Sequence, residues 1–341
     1  MTFTASPSSL WIIKPGSLGD IVHTLPCAAA IRNHWSDTQI TWAVDARWAP
    51  LLEGNPVIDK KILFHRQDFR GLTGVLSAFR WMLSLKNEEN PDICLDLQGL
   101  FRSALMARFS RAKRIVGFSD ARESAHLLYH QREPGPSKNI HAVDRYLSIL
   151  PALGIRRPAK LEFPLPPGSA PQALLPSSDW VLLHPFARGE GKSLSEAAVL
   201  RFCERFRLLP IVIAGMGKIS LPLPPHCSVL LNRTSLNEMI WLCRHARFTV
   251  SVDSGPVHIA AAASDSRVLS LHTWSDPRKI GPYSTESWIW QGGEIRRQKI
   301  SPDAPLLPPR QLEPSDMDQI ASWLHSQFVV GGSEKLVVPN S

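Results

Sequence analysis

Long apolar runs and targeting signals are missing from this sequence of 341 residues. No apolar run approaches the ~20 residues that a membrane-spanning helix needs. The first ten residues, MTFTASPSSL, contain no basic region and no apolar core, so we expect no signal peptide. These absences favour a cytoplasmic protein.

Cysteine is also scarce. The five cysteines are odd in number, form no C-x-x-C pair and lie mostly in apolar segments: Cys27, Cys94, Cys203, Cys227 and Cys243. This usage predicts buried free thiols in a reducing compartment. We expect neither a disulfide framework nor a metal site.

Basic residues outnumber acidic ones, 38 to 30, which gives a formal net charge of +8. A basic balance favours an acidic partner, such as a phosphate group, a nucleic acid or an anionic membrane surface. No nucleic-acid recognition motif occurs, and the G-x-G-x-x-G fingerprint of dinucleotide-binding oxidoreductases is absent. We therefore expect no nucleic-acid partner and disfavour an oxidoreductase.

The length predicts two domains of roughly 150 residues each. Strand-like and helix-like segments alternate in both halves, which predicts two parallel, doubly wound α/β domains. A segment rich in Pro, Ser and Ala, residues 158–178, separates the halves. We expect an N-terminal domain over residues 1–160, a C-terminal domain over 175–312, a terminal helix over 313–328 and a flexible tail over 329–341.

In the first half, Asp20 follows a short apolar strand, Leu10–Ile13, and a turn at Lys14-Pro15-Gly16. Thr24 and Pro26 predict that a helix begins near Thr24. Asp20 is the only acid before Asp37. It suits either a helix cap or a general base at the mouth of a cleft, and one residue can serve as both.

A second strand end in this half carries Asp96 and Gln98 in the stretch DLQGLFRS. The basic run that follows, Arg102–Arg114, predicts either a solvated helix face or an electropositive rim for an anionic substrate.

In the second half, the strand Phe248–Val252 leads into DSGPVH, residues 253–258, and then into small residues. Such a helix start favours an anion, for example a diphosphate. The alternative is that the acid and hydroxyl cap the helix and that the histidine is structural. The earlier loop His184–Lys192 offers a lysine at another strand end, and the spacing of Ser193 and Glu196 predicts a capping box.

The acid pair Asp316 and Asp318 forms a D-x-D pattern, which holds a metal in some sugar-nucleotide enzymes. Both acids fall in the first turn of the last predicted helix, where the helix dipole favours negative charge. We therefore expect a helix start rather than a metal site.

Five motifs, in order, resemble glycosyltransferase family 9, the ADP-heptose:lipopolysaccharide heptosyltransferases, and the heptosyltransferase I group most of all. They are KPGSLGDIVHTLPC, DLQGLFRSA, ARE (121–123), HAVDR (141–145) and SVDSGPVHIAAA. The resemblance implies a GT-B fold, in which two Rossmann-like domains face a cleft and the last helix crosses back to the first domain. It also implies inverting, metal-independent transfer of heptose from ADP-heptose to the inner core of lipopolysaccharide, on an acceptor of the Kdo–lipid A type.

By this resemblance Asp20 is the general base. The donor-binding positions are Arg188, Lys192, Asp253, Ser254, Gly255 and His258, and the acceptor-binding positions are Ser17, Gln98, Arg102 and Arg122. The donor loop departs from the family, since Pro185-Phe186-Ala187 replaces hydroxyl residues. A different nucleotide sugar, or a non-catalytic sugar-nucleotide-binding protein of the same fold, is the alternative.

An acceptor of this kind implies weak, reversible association with the inner face of the inner membrane. We expect the basic residues of Arg102–Arg114 and Arg122 to provide it electrostatically, since the sequence suggests no strongly apolar amphipathic helix.

Overall fold

A computed structural model describes residues 6–69, 71–137, 139–173, 175–189, 191–264 and 267–330, except the side chains of Leu72 and Val330. The chain forms two compact units. The first extends to Pro167 and also includes Arg278–Tyr283 and Ile300–Ala304, while the second contains Gly168–Pro277, Ser284–Lys299 and the chain from Pro305. Within the described part of the chain, no helix has the length and apolar character to span a membrane.

The first unit is built on a six-stranded parallel sheet in the order β3-β2-β1-β4-β5-β6. Its strands are β1 (Ser9–Ile13), β2 (Gln39–Asp45), β3 (Lys60–Phe64), β4 (Ile93–Asp96), β5 (Arg114–Phe118) and β6 (Gln131–Glu133). Its helices are α1 (Leu18–His34), α2 (Gly71–Ser84), α3 (Phe101–Phe109) and α4 (Ala142–Leu147), with 3-10 turns at Ala49–Leu52, Arg66–Phe69, Leu85–Asn87, Ala125–Leu128 and Leu150–Leu153. The central strands β1 and β4 are buried along their whole length, as expected of parallel strands covered on both faces.

The second unit has a seven-stranded sheet in the order β13-β12-β11-β10-β7-β8-β9. Its strands are β7 (Val181–His184), β8 (Ile211–Gly215), β9 (Cys227–Leu231), β10 (Phe248–Val252), β11 (Val268–His272), β12 (Trp288–Gln291) and β13 (Glu294–Arg297). The helices are α5 (Glu196–Arg205), α6 (Leu236–His245), α7 (Gly255–Ala263), α8 (Pro277–Ile280), which ends in the first unit, and α9 (Pro314–Val330). All neighbours are parallel except β12 and β13.

Both units therefore repeat one topology, because the six parallel strands of each follow the order 3-2-1-4-5-6 along their own chain segment. This is the Rossmann order, in which connections leave the central strand in opposite directions. The strand order reverses between β1 and β4 in the first unit and between β7 and β10 in the second. Ligands of such sheets bind at that point, beyond the carboxyl ends of the strands.

The last helix, α9, contributes to the core of the second unit. Its apolar residues Met317, Ile320, Ala321 and Leu324 join Phe202 of α5 there. The helix thus buries its apolar face on α5. Of the expected tail 329–341, Val329 and Val330 continue α9, and the rest lies outside the described residues.

The cysteines are free thiols, and all but the half-buried Cys227 are fully buried, as their apolar surroundings in the sequence predict.

Candidate functional site

Asp20 lies in the first turn of α1, directly beyond the carboxyl end of β1. The helix begins at Leu18, so the predicted start near Thr24 is wrong, and Pro26 lies inside the helix. Ser17 caps the helix, and its backbone N–H and its hydroxyl both donate to the Asp20 carboxylate at 2.9 Å. Asp20 is therefore a structural part of the helix start, as one of its two predicted roles requires.

Two further groups hold the Asp20 carboxylate from the other side. The Tyr146 hydroxyl, on α4, donates to Oδ1 at 2.8 Å, and the Lys14 ammonium lies 3.5 Å from the same oxygen. Burial alone would raise the pKa of Asp20, but Lys14 and the hydrogen bonds from Ser17 and Tyr146 outweigh it and hold the pKa below its usual range. The side chain is still 35% exposed. An ionised, oriented and accessible carboxylate results.

A cavity of about 310 Å³ opens beside this carboxylate, entirely within the first unit. Its walls are the segments that follow β1, β4 and β5, together with α4: Lys14, Asp20, Leu97, Gln98, Gly99, Phe118, Asp120, Ala121, Arg122, Arg145 and Tyr146. The cavity thus occupies the point where the strand order reverses, and it is mostly polar. Such a site suits a hydroxyl-bearing, anionic ligand.

Of the two residues predicted at the second strand end, Gln98 lines this cavity, whereas Asp96 is fully buried and does not line it. Asp96 is fully buried and accepts hydrogen bonds from the N–H groups of Gln98 and Gly99 and from the hydroxyls of Ser103 and Tyr129. Asp96 therefore shapes the loop and does not face a ligand. The Gln98 side-chain oxygen Oε1 is buried without a hydrogen-bond partner among the described residues, which leaves it available to a ligand hydroxyl.

The predicted acceptor arginines lie on one electropositive surface. Arg122 is exposed and lines the cavity, and burial together with the nearby Arg66 and Arg122 lowers the pKa of Arg102. The rest of the basic run is dispersed, because Lys113 pairs with Asp92 and Arg108 contacts His130. Only part of the run therefore belongs to a rim.

In the second unit, Lys192 and Asp253 meet where the strand order reverses. The Lys192 ammonium donates to Asp253 at 3.0 Å and lies 4.6 Å above the Trp274 ring. Burial favours a raised pKa for Asp253, yet His272, His258 and Lys192 together hold it below its usual range. These side chains come from the loop after β7, the end of β10 and the segment after β11, which converge at the same edge of the sheet.

Helix α7 begins at this edge. Ser254 is its N-cap, but the Ser254 hydroxyl contacts His184 Nδ1 at 3.1 Å instead of a backbone N–H of the helix. Burial lowers the pKa of His184 to about 4, so this histidine is neutral at physiological pH. Gly255 is the first helical residue and His258 is buried within the first turns. Pro256 has no N–H and Val257 donates to the Ser254 carbonyl at 3.2 Å, so Gly255 carries the N–H of the first turn that suits an anion.

The loop between β7 and α5 is closed by hydrogen bonds. The Ser193 hydroxyl binds both the N–H and the carbonyl of Ala187, and the Thr273 hydroxyl donates to the Gly191 carbonyl. Ser195, not Ser193, caps α5, so the predicted capping box is wrong by two residues. Arg188 is exposed on this loop. The hydroxyl of Ser193 thus stabilises the loop that carries Lys192.

The acid pair of the D-x-D pattern is paired with arginines. Asp316 accepts two hydrogen bonds from Arg310, and Asp318 binds Arg201 and Arg205 of α5. No group of three or more metal-ligating side chains occurs among the described residues. These acids therefore serve the attachment of α9.

Several residues of both sites were not predicted. Tyr146, Arg145 and Asp120 enter the first cavity from sequence positions far from Asp20, with Arg145 and Asp120 forming a two-fold hydrogen-bonded ion pair. In the second unit, His184 and Trp274 approach Ser254 and Lys192. The only available signal for Tyr146 was its position directly after the HAVDR motif.

The chain is similar in sequence to known proteins. The model of glycosyltransferase family 9 (heptosyltransferase) matches residues 80–178 and 216–301, just over half of the chain. The lipopolysaccharide core heptosyltransferase OpsX of Haemophilus influenzae is 26% identical over 83% of this chain and 84% of that protein. Lipopolysaccharide heptosyltransferase 1 of Salmonella typhimurium is 28% identical over 80% of this chain and 90% of that protein.

Two solved structures share the fold. Escherichia coli heptosyltransferase WaaC with ADP has a TM-score of 0.70 at 20% identity, covering 94% of this chain and 99% of its own. E. coli ADP-heptose lps heptosyltransferase II has a TM-score of 0.72 at 17% identity, covering 95% of this chain and 100% of its own. The predicted GT-B fold with two Rossmann-like units is confirmed.

The environment of Asp20 predicts a specific pH dependence of stability. Because the folded pKa is below the ordinary 3.8, the ionised carboxylate stabilises the fold above about pH 4, and this contribution disappears as the pH falls through the folded pKa. We expect Asp20→Asn to lower the melting temperature at pH 7, with the difference from wild type narrowing below pH 4.

Thermal unfolding between pH 3 and pH 8 measures this difference. Asp37→Asn is the matched control, since its exposed carboxylate accepts a hydrogen bond from the neighbouring Ser36 hydroxyl, and it should change the profile little. A constant difference between wild type and Asp20→Asn at all pH values would show that Asp20 is not held ionised by its neighbours.

Proposed function

The chain belongs to glycosyltransferase family 9, the heptosyltransferases, and from this we propose that it transfers a heptose from ADP-heptose to the inner core of lipopolysaccharide. The main support for this proposal is the Asp20 carboxylate, which Tyr146 and Lys14 hold in place at the mouth of a polar cavity. The names of the relatives support the donor and the lipopolysaccharide acceptor.

In this proposal Asp20 is the general base. Its carboxylate accepts the proton of the acceptor hydroxyl, and the resulting oxygen nucleophile attacks the anomeric carbon as the C–O bond to the nucleotide diphosphate breaks. Attack on the face opposite the leaving group inverts the anomeric centre. A base must be ionised before it acts, and the neighbours of Asp20 favour the ionised form.

The acceptor site in this proposal is the cavity beside Asp20. Gln98 offers an unpaired oxygen to a hydroxyl, and the guanidinium groups of Arg122 and Arg102 suit carboxylates or phosphates of a Kdo–lipid A type acceptor. Ser17 does not line the cavity and contributes by orienting Asp20.

The donor site is the strand-end cluster of the second unit. Lys192 and the Gly255 N–H at the start of α7 supply positive charge to the diphosphate, and their effect grows as the leaving group departs. Asp253, Ser254 and His258 frame this position, and Arg188 lies on the same loop as Lys192. Since protein groups can neutralise the diphosphate, the reaction is proposed to require no divalent metal.

The proposed place of action is the inner face of the inner membrane, where a lipid-linked acceptor would be met by a cytoplasmic protein. Arg122 is exposed and lines the proposed acceptor cavity, and the exposed Arg66 and Arg102 belong to the same unit. Basic residues near an anionic bilayer each contribute about 1 kcal/mol of attraction, which salt screens.

Transfer itself tests the proposal. We expect the protein to extend a Kdo–lipid A acceptor with ADP-heptose in buffer containing EDTA, detected by mass spectrometry of the product. A parallel panel of ADP-, UDP- and GDP-sugars, scored by thermal stabilisation and by transfer, identifies the donor. Transfer from another nucleotide sugar would show that the donor is that compound and not ADP-heptose. Stabilisation without any transfer would indicate a non-catalytic binding protein.

A substitution at Lys192 tests the donor site. We expect Lys192→Ala to weaken nucleotide-sugar affinity and also to slow transfer at saturating donor, because the ammonium stabilises charge that develops in the transition state. Lys299→Ala, which removes an exposed lysine of the same unit, is the matched control and should leave both quantities unchanged. Unaltered affinity and rate in Lys192→Ala would exclude this role.

A further inference from the structure

Helix α2 of the first unit presents an apolar stripe to solvent. Its exposed members are Val75 at 67%, Leu76 at 52%, Phe79 at 51% and Leu83 at 38%. At 100° per residue these four side chains fall within a sector of about 100° on one face. Single exposed apolar residues are ordinary, but a contiguous stripe of four is typical of an interaction surface.

The opposite face of α2 is fixed to the body of the unit. The Trp81 indole donates to the Leu63 carbonyl at 3.0 Å, and its ring packs edge-on against Phe64. Gly74 is buried so closely that an added Cβ would lie 2.4 Å from the backbone of Phe69. The helix therefore cannot turn its apolar stripe inward without breaking these contacts.

Basic side chains border part of the stripe, and the acids Asp68, Glu88 and Glu89 lie outside the ends of α2. The sequence of α2 contains no acid and one base, the exposed Arg80, and Lys86 follows the helix with its ammonium 5.4 Å from the ring of Phe109. Phe109 in turn contacts Phe79 of the stripe at 6.4 Å between ring centroids. Arg66 precedes the helix and lies near Arg102 of the proposed acceptor surface. An apolar stripe with a basic border complements an anionic lipid interface.

We propose that α2 docks on the surface of an anionic phospholipid bilayer, with its apolar stripe among the acyl chains and its basic border at the headgroups. The choice of a lipid occupant rests on the proposed function, since a lipid-linked acceptor brings a membrane to this unit. Such docking would add an apolar contribution to the electrostatic association that the sequence predicts. The structure has an amphipathic helix whose apolar side is outermost.

Vesicle co-sedimentation of the full chain tests the docking surface. The vesicles contain phosphatidylcholine alone or with phosphatidylglycerol, and neither acceptor nor nucleotide sugar is present. We expect the double variant Leu76→Glu/Phe79→Glu to bind the anionic vesicles about tenfold or more weakly than wild type, with an unchanged melting temperature because both side chains are exposed. Arg80→Glu should weaken binding to anionic vesicles alone.

The matched control is Leu208→Glu/Leu306→Glu, which makes the same charge change at side chains of the second unit that are 43% and 45% exposed. It should bind vesicles nearly as wild type does, apart from the effect of net charge. Equal binding by wild type and the α2 variant would overturn the proposal. A wild-type dimer in sedimentation velocity that the α2 variant loses, without vesicle binding by either, would assign the stripe to self-association instead.

The vesicle-binding result can be interpreted independently of the transfer result, because the vesicles contain no substrate. In a transfer assay, the α2 variant should retain its rate on a water-soluble acceptor fragment and lose rate on an acceptor embedded in vesicles. Failure of every form of the protein to transfer sugar would contradict the proposed function and leave the vesicle result intact.

Discussion

A buried ammonium group organises the first unit. Lys14 is only 3% exposed, and a buried charge is tolerated only when it is compensated. Its ammonium donates to the Leu97 carbonyl beyond β4, faces Asp20 at the start of α1 and lies 4.5 Å from the ring centre of Tyr146 on α4. One charge thus ties together the elements around the cavity. It also keeps Asp20 ionised, so the interaction that stabilises the site prepares its chemistry.

The second unit repeats this arrangement with one difference that matters for function. Lys192 and Asp253 also form an ion pair where the strand order reverses, but Lys192 is 19% exposed and Asp253 only 6%. The Lys192 ammonium lies 4.6 Å from the centre of the Trp274 ring. We propose that it turns from the carboxylate to the donor diphosphate, whereas Lys14 holds the proposed general base in place.

The strands Leu10–Ile13 and Phe248–Val252 were predicted to within a residue of β1 and β10, because each is a largely apolar, buried run. The strand β6 is short and polar, and the apolar part of β12 is only three residues long, so neither was predicted. In the sequence, Thr24 and Pro26 have the residue types of a helix cap and a first turn. Helix α1 nevertheless begins at Leu18, because Ser17 and Asp20 form a capping box there. Tyr146 reaches Asp20 across 126 residues, a contact that only the folded sheet creates. The direction in which α2 faces likewise depends on tertiary packing.

We propose that the Asp20 carboxylate, held by Lys14, Ser17 and Tyr146, removes the acceptor proton. Single-turnover transfer by Asp20→Asn, measured beside its nucleotide-sugar affinity, tests this role. We expect a rate lower by about 10²–10⁴ with donor affinity within a few-fold of wild type, because a positioned base acts on the rate alone. A transfer rate close to that of wild type in a folded variant would contradict it.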